Sequence, residues 1–346
     1  MKIALATPIG LSSFGGAERK IVEAAEMLVR KGHEVGIYAL PYSHPGRKIK
    51  IEKVIGALKY MGVDYYEAKR HKVAADVAYM VYTPLVWRKF NPRCPAISGL
   101  HSPLLFATND SLITFTNPLL TTKRYGSLKY MVTFWLSNTI KNLDLAGFSA
   151  VRALNKVIKV KHRRVYYIPD WVNTKVFRPL DKDDSFTVFY SGRHHWEKGF
   201  DVFLNVATRL KKSGFKMRFM CTGASAELAE GTGFLDDYKL AEAYSRSHVV
   251  LYPSKMDTFG GVIAEAAACG TPVITTSIPA HVSMGLPLIY ANSVKQFVGA
   301  VMQIHKMWTE QTSEYNKLAQ RQREQVLRYD AAEVFPKFER MLKEVA

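Results

Sequence analysis

The sequence predicts an α/β protein of two doubly wound, parallel-sheet domains. Three observations carry that reading. The chain opens as an apolar run, a glycine loop and an amphipathic helix, which is the unit of a parallel sheet with helices on its faces. The same alternation restarts after a polar, acid-rich stretch at 170–184. The length, 346 residues, suits two domains, and the charged break in the middle argues against a single barrel. With 48% hydrophobic and 23% charged residues, the chain is neither disordered nor fibrous.

The elements follow in order. Ile3–Thr7 reads as a strand and Leu11–Gly16 as a loop. In Glu18–Lys31, Ile21, Val22, Ala25, Leu28 and Val29 share one helical face, and Gly32 stops the helix. Val35–Leu40 resumes as a strand, and further strands are expected near 77–83, 96–100 and 165–168. Residues 170–184, with Pro179 and four acids, read as the interdomain connection. Beyond it the sequence predicts strands at 186–190, 217–221, 249–252, 273–276 and 286–290. Helices are expected at 200–212, 235–246, 262–269, 293–308, 311–328 and 331–344. The expected domains are therefore 1–169 and 170–325. A terminal helix in 326–346 is expected to cross back to the first domain.

Charge is distributed unevenly. Of the formal net +18, residues 1–168 carry +16, so a polyanionic or membrane partner should meet the first half. Cys94, Cys221 and Cys269 have neither disulfide nor metal-ligand spacing and read as small buried hydrophobes in a reducing compartment. The first apolar run is too short for a signal peptide, and no run of 18 uncharged apolar residues exists. A cytoplasmic protein that lies peripherally on the inner face of the cell membrane is the expectation.

Three loops carry chemistry. Gly15 and Gly16, just before a helix, let backbone approach a ligand and offer free N–H groups to an anion. The spacing is not a dinucleotide fingerprint, and no Gly-Lys-Ser/Thr follows. After the 186–190 strand, Gly192 permits a turn, while Arg193 and Lys198 supply a fork and a point charge suited to a diphosphate. Open α/β sheets hold ligands at that carboxyl edge. In the third loop Asp257 precedes a helix start near Gly260 or Gly261. Glu265 then interrupts Val262, Ile263, Ala266 and Ala267, so the two acids can grip different parts of one extended ligand.

These pieces together resemble the family 4 retaining glycosyltransferases of GT-B architecture, the group that includes glycogen synthase and phosphatidylinositol mannosyltransferase. Gly15 and Gly16 match the family's glycine pair. Gly192, Arg193, Lys198 and Gly199 match its Gly-Arg … Lys-Gly loop, and Asp257 and Glu265 match its two acids separated by seven residues. Phe259-Gly260 and Cys269–Val273 keep register, and Ile168–Phe177 resembles the family's entry to the second domain.

The resemblance implies roles for these positions. Arg193 and Lys198 bind the donor diphosphate and stabilise the leaving nucleoside diphosphate, without a metal. Glu265 takes the ribose hydroxyls. Asp257 and the amides of Phe259, Gly260 and Gly261 hold the transferred sugar. Gly16 approaches the phosphate from the opposite domain, and His101 resembles the histidine that contacts the donor sugar. No cofactor is implied, and the donor is a UDP- or GDP-linked sugar used as substrate. Asp257 stands where the family more often has Glu, and 222–237 is shorter than the family's strand and helix there.

The segment 111–164 holds ten basic residues and one acid, Asp144, with Phe115, Tyr125, Tyr130, Phe134, Trp135 and Phe148. It suits an anionic membrane, with Tyr125, Leu128, Trp135 and Leu136 at the interface and a second stripe at Ile51, Val54, Ile55, Leu58 and Met61. A lipid or lipid-linked acceptor follows from that reading, and a soluble oligosaccharide or protein acceptor is the alternative. A nucleic-acid partner is disfavoured, because no DNA- or RNA-reading module accompanies the basic field.

Overall fold

The structure, a computed structural model, describes residues 1–13, 15–42, 51–101, 136 and 139–346. Phe115, Lys123, Arg124, Tyr125, Leu128, Lys129, Tyr130, Phe134 and Trp135 lie outside the described residues. The described chain divides into two units. One gathers residues 1–13, 15–42, 51–101, 136 and 139–170 with Val334–Ala346, and the other is Trp171–Glu333.

In the first unit, seven strands form one parallel sheet among the described residues: β1 (Lys2–Ile9), β2 (Glu34–Tyr42), β3 (Val63–Glu67), β4 (Val77–Val81), β5 (Ala96–Leu100), β6 (Ala150–Ala153) and β7 (Val165–Tyr167). Their order is β3-β2-β1-β4-β5-β6-β7. Ile3 to Ala6 are 0–1% exposed, as a strand covered on both faces requires. The helix Gly16–Arg30 buries Ile21, Ala24, Ala25 and Leu28, an i, i+3, i+4, i+7 stripe. Gly32, at φ +80°, ends it. From the last helix, Ala331–Val345, Phe338 packs edge-on to Tyr79 with centroids 5.0 Å apart, and Glu339 lies 3.1 Å from His33 Nε2.

The second unit repeats the plan with six parallel strands: β8 (Thr187–Tyr190), β9 (Arg218–Cys221), β10 (Glu230–Gly231), β11 (Val249–Tyr252), β12 (Val273–Thr275) and β13 (Ile289–Tyr290). Their order is β10-β9-β8-β11-β12-β13. The helix Phe200–Lys212 buries Val202, Phe203, Val206, Ala207 and Leu210 against this sheet's core. Each buried Val, Phe or Leu side chain among these contributes about 1.5–3 kcal/mol. Both sheets are doubly wound, as the sequence predicts.

Several expectations need correction. The strands β3, β6 and β10 escape the sequence pattern. In the short 222–237 region the chain forms only the two-residue β10, parallel to β9. Residues 170–184 are partly buried, although Asn173, Lys175 and residues 178–181 are exposed. Asp170, Trp171, Val172 and Phe177 are buried, and burial pulls the Lys182 ammonium down to about 7 while it donates to Ser247 O and Thr271 Oγ1, both at 2.7 Å. Asp183 of the same stretch pairs with Arg218 and Arg246. Cys221 and Cys269 are buried, whereas Cys94 is half-buried. The stripe expected on a membrane turns inward at Leu58, which is fully buried in the helix Ile51–Tyr60. Phe148 is likewise core, 4.6 Å from the Trp87 ring. No helix among the described residues is long and apolar enough to cross a membrane.

Candidate active site

The strand order of the second sheet reverses between β8 and β11. Ligands of open α/β sheets bind outside the carboxyl ends of strands at such a switch point. The loops leaving those two strands are the ones that carry Gly192–Gly199 and Pro253–Gly260. Lys198 Nζ lies 3.4 Å from Asp257 Oδ2, 3.1 Å from the Tyr252 hydroxyl and 3.4 Å from Met256 O. The Tyr252 hydroxyl donates to Asp257 Oδ2 at 2.6 Å, and Thr258 N donates to Oδ1 at 2.9 Å. His281 Nε2 stands 3.6 Å from the same carboxylate. Burial alone would raise the Asp257 acid; Lys198, His281 and Tyr252 outweigh it and hold the carboxyl well below the usual range. The arrangement is a fixed anion that aims a cation.

The Gly192–Gly199 loop is shaped from inside. Tyr190, buried at the end of β8, places its hydroxyl 2.8 Å from Arg193 O and 3.3 Å from Lys198 O. Gly192 N donates to Thr222 Oγ1 at 3.0 Å. His194 stacks on Phe200 at 3.7 Å and places Nε2 2.7 Å from Thr222 O, so it is a scaffold group. Lys255 ties the two loops together. It is 1% exposed, bonds both Asp201 oxygens at 2.8 and 3.1 Å, lies 5.5 Å over the Trp196 ring and donates its amide to Glu197 O.

Gly199, at φ +72°, lets the loops touch, because a Cβ there would stand 2.0 Å from Pro253 O. Gly199→Ala is therefore expected to cost about 2–4 kcal/mol of unfolding free energy. Gly214→Ala, also left-handed at φ +80° but facing open space, should cost only about 1 kcal/mol. Urea unfolding of the two variants measures the difference, and equal losses would show that the Pro253 contact is unimportant.

The remaining expected residues fall into two groups. Arg193 is 40% exposed and 3.7 Å from Glu197, so it lies outside the Lys198–Asp257 cluster. Gly260, at φ +91°, caps the helix Gly261–Ala268, whose first amides face no intrahelical partner. Phe259 contributes backbone only, since its ring is buried 5.2 Å from that of Tyr329. Glu265 is buried on the same helix and accepts from the Tyr244 hydroxyl at 3.2 Å. A Cβ on Gly261 would lie 3.9 Å from Glu265 Oε1.

In the first unit Gly15 is occupied by its own helix, its amide donating to Glu18 Oε2 at 3.0 Å. A Cβ on Gly16 meets nothing within 4 Å, which leaves open space there. Glu18 is itself buried, with its acid raised by burial. His101 is more constrained than the sequence suggests. Its Nε2 is 2.7 Å from the Tyr79 hydroxyl, and its Nδ1 is 3.7 Å from Asp170 Oδ2. Arg152, 1% exposed, spends its guanidinium on Tyr79 Oη, Ile168 O, Pro169 O and Asp170 Oδ1 at 2.6–3.0 Å. Since Arg152 donates to Tyr79, the Tyr79 proton is left for His101 Nε2. Gly99 makes room for that hydroxyl, as a Cβ would come within 2.2 Å of it.

Sequence reasoning missed Tyr252, His281, Tyr190, Lys255, Tyr79, Arg152 and Asp170. The signal used for Glu265, a charge inside an apolar run, is also present at Arg152 in Ala150–Leu154.

Two Rossmann-like units with these switch-point loops define the GT-B architecture of glycosyltransferases. HepE of Anabaena, solved with UDP-glucose, superposes with a TM-score of 0.71 at 13% identity, covering 99% of both chains. Residues 185–306 match the family model described as glycosyl transferases group 1. The chain is 26% identical to the phosphatidylinositol N-acetylglucosaminyltransferase gpi3 subunit of Schizosaccharomyces pombe, over 82% of this chain and 66% of that protein. It is 28% identical to D-inositol 3-phosphate glycosyltransferase 1 of Catenulispora acidiphila, over 33% of this chain and 36% of the relative. The chain thus spans about two thirds of the first relative's length and about a third of the second's.

Proposed function

We propose that the protein is a retaining glycosyltransferase that moves a hexose from a nucleoside diphosphate sugar to a hydroxyl of a lipid or lipid-linked acceptor. The observation that carries this reading is the convergence at the β8/β11 switch point of Lys198, Asp257 and the Gly261–Ala268 helix start. A diphosphate placed there meets an ammonium already aimed by Asp257 and Tyr252, with the Arg193 guanidinium on the same loop. These cations stabilise charge as it develops on the leaving nucleoside diphosphate. In this reading Glu265 holds the ribose, Asp257 and the adjoining amides hold the sugar, and the leaving phosphate receives the acceptor's proton. The acids hold ligands and do not act as the opposed pair of a glycosidase. The group 1 family match and the named activities of the relatives support the class, and the phosphatidylinositol in the first relative's name supports a lipid acceptor.

A screen of UDP- and GDP-linked sugars for binding and slow hydrolysis tests the proposal. At least one donor should bind, and Arg193→Ala and Glu265→Ala should weaken nucleoside diphosphate binding, Arg193→Ala by at least roughly tenfold. Turnover should survive a chelator, because two cations on the chain serve the diphosphate. Binding of no donor would overturn the proposal. Complete loss with chelator and rescue by manganese or magnesium would overturn its metal-free form.

A further inference from the structure

The connections that leave β3 and β4 run side by side in the first unit. His71 N donates to Lys89 O at 2.8 Å, Val73 N to Phe90 O at 3.3 Å and Arg93 N to Val73 O at 2.9 Å. Between them opens a pocket of about 690 Å³ whose lining includes Arg70, His71, Lys72, Arg88 and Lys89. That volume falls within the range of small-molecule sites. It lies apart in sequence from every motif that the donor reading uses.

The pocket has a built frame. Asp144, 1% exposed, accepts from the Tyr82 hydroxyl at 3.1 Å, from Leu85 N at 3.0 Å and from Arg88 Nη2 at 3.0 Å. One buried carboxylate therefore sets both a backbone and a guanidinium. Leu85 (φ +60°) and Asn91 (φ +38°) are the two non-glycine residues with left-handed backbones among the described residues, and both line this pocket. Such conformations persist where the surroundings over-determine them, and they gather at functional sites. The His71 ring is fixed as well, with Nε2 2.7 Å from Ala39 O and its face on Phe90 at 5.7 Å. Lys89 is steered by Tyr42, its ammonium bonded to the hydroxyl and 5.0 Å from the ring centroid.

The charge on this frame is unbalanced. Arg88 answers Asp144, but Arg70 and Lys72 meet no carboxylate among the described residues. A guanidinium fork beside ammonium point charges is the donor set that phosphate esters select. We propose that this pocket binds a phosphate ester carried by the acceptor, an inference that rests on the transferase reading and names the acceptor's anionic group. The phosphate belongs either to a lipid headgroup or to a soluble phosphorylated alcohol, and the two are separable by experiment.

The test compares the parent with Arg70→Gln/Lys72→Gln, and with Lys337→Gln/Arg340→Gln as a control that removes the same charge from exposed positions elsewhere in the unit. Sedimentation uses phosphatidylcholine vesicles with and without phosphatidylinositol, and calorimetry uses glycerol phosphate and inorganic phosphate. Vesicle binding that needs phosphatidylinositol and falls at least about tenfold in the Arg70/Lys72 variant alone identifies a headgroup. The same loss confined to the soluble phosphates identifies a free phosphate ester. A parent that binds neither probe, or equal losses in both double variants, overturns the pocket. If the pocket behaves as proposed while the parent binds no nucleoside diphosphate, the donor reading falls and the anion site stands.

Discussion

Asp170→Ala is expected to lower the stability of the first unit by about 3–5 kcal/mol, the usual loss when one member of a buried ion pair is removed. The cost comes from Arg152, which is 1% exposed and would keep its charge beside Ile168 O, Pro169 O and the Tyr79 hydroxyl without the Asp170 carboxylate. Asp170→Asn retains the shape and one acceptor oxygen, so it should lose less. Burial by itself would raise the Asp170 acid, but Arg152 and then His101 override it and hold the carboxyl far below its ordinary value. A depressed acid contributes stability that is present above its unfolded value, about 3.9, and is lost as pH falls through its folded value. The parent should therefore weaken below about pH 4, and Asp170→Asn should flatten that acid limb. Two units need not unfold together, so the transition must be followed with a probe in the first unit. A midpoint in Asp170→Ala equal to the parent's would show that the Arg152 pair is not buried as described.

Lys198→Ala should reduce kcat/KM by at least about tenfold, because a charge-assisted phosphate contact contributes about 1.5–3 kcal/mol. The effect should exceed that of Arg193→Ala. Lys198 is 22% exposed and fixed by three oxygens, whereas Arg193 is 40% exposed with one distant partner. Removing Lys198 also leaves Asp257 with less compensation, and Asp257→Asn conversely leaves Lys198 unaimed. Residues that act as one unit are not additive, so the double variant should lose far less than the two single losses combined. Nucleoside diphosphate affinity in Lys198→Ala equal to the parent's would remove Lys198 from the site.

Most elements were legible because their residues carry a strong period. The helix Phe200–Lys212 falls where its apolar spacing places it, and β11 is a continuous Val-Val-Leu-Tyr run. The strands that escaped have physical reasons to be quiet. Strand β3 lies at a sheet edge with exposed Asp64 and Glu67, so it lacks the apolar run of a covered strand. Strand β6 is interrupted by Arg152, whose burial depends on Asp170 in another segment. The hydrogen bonds and ion pairs of Asp170, Lys182 and Asp183 in the 170–184 stretch were not legible from its polar composition. Their partners, at Arg152, Ser247, Thr271, Arg218 and Arg246, are distant in sequence.

The sequence by itself determined the two doubly wound units and the chemistry available in each loop. Periodic burial and glycine conformation are local properties, read within a few residues of chain. Only the tertiary structure decided that β8 and β11 are neighbours, and so that Lys198 meets Asp257 across 59 positions. It likewise placed Tyr252 and His281 around that carboxylate and enclosed His101 between Tyr79 and Asp170. The reason is that a charge inside a fold is satisfied by whichever group the strand order brings beside it, and strand order is a property of the whole sheet.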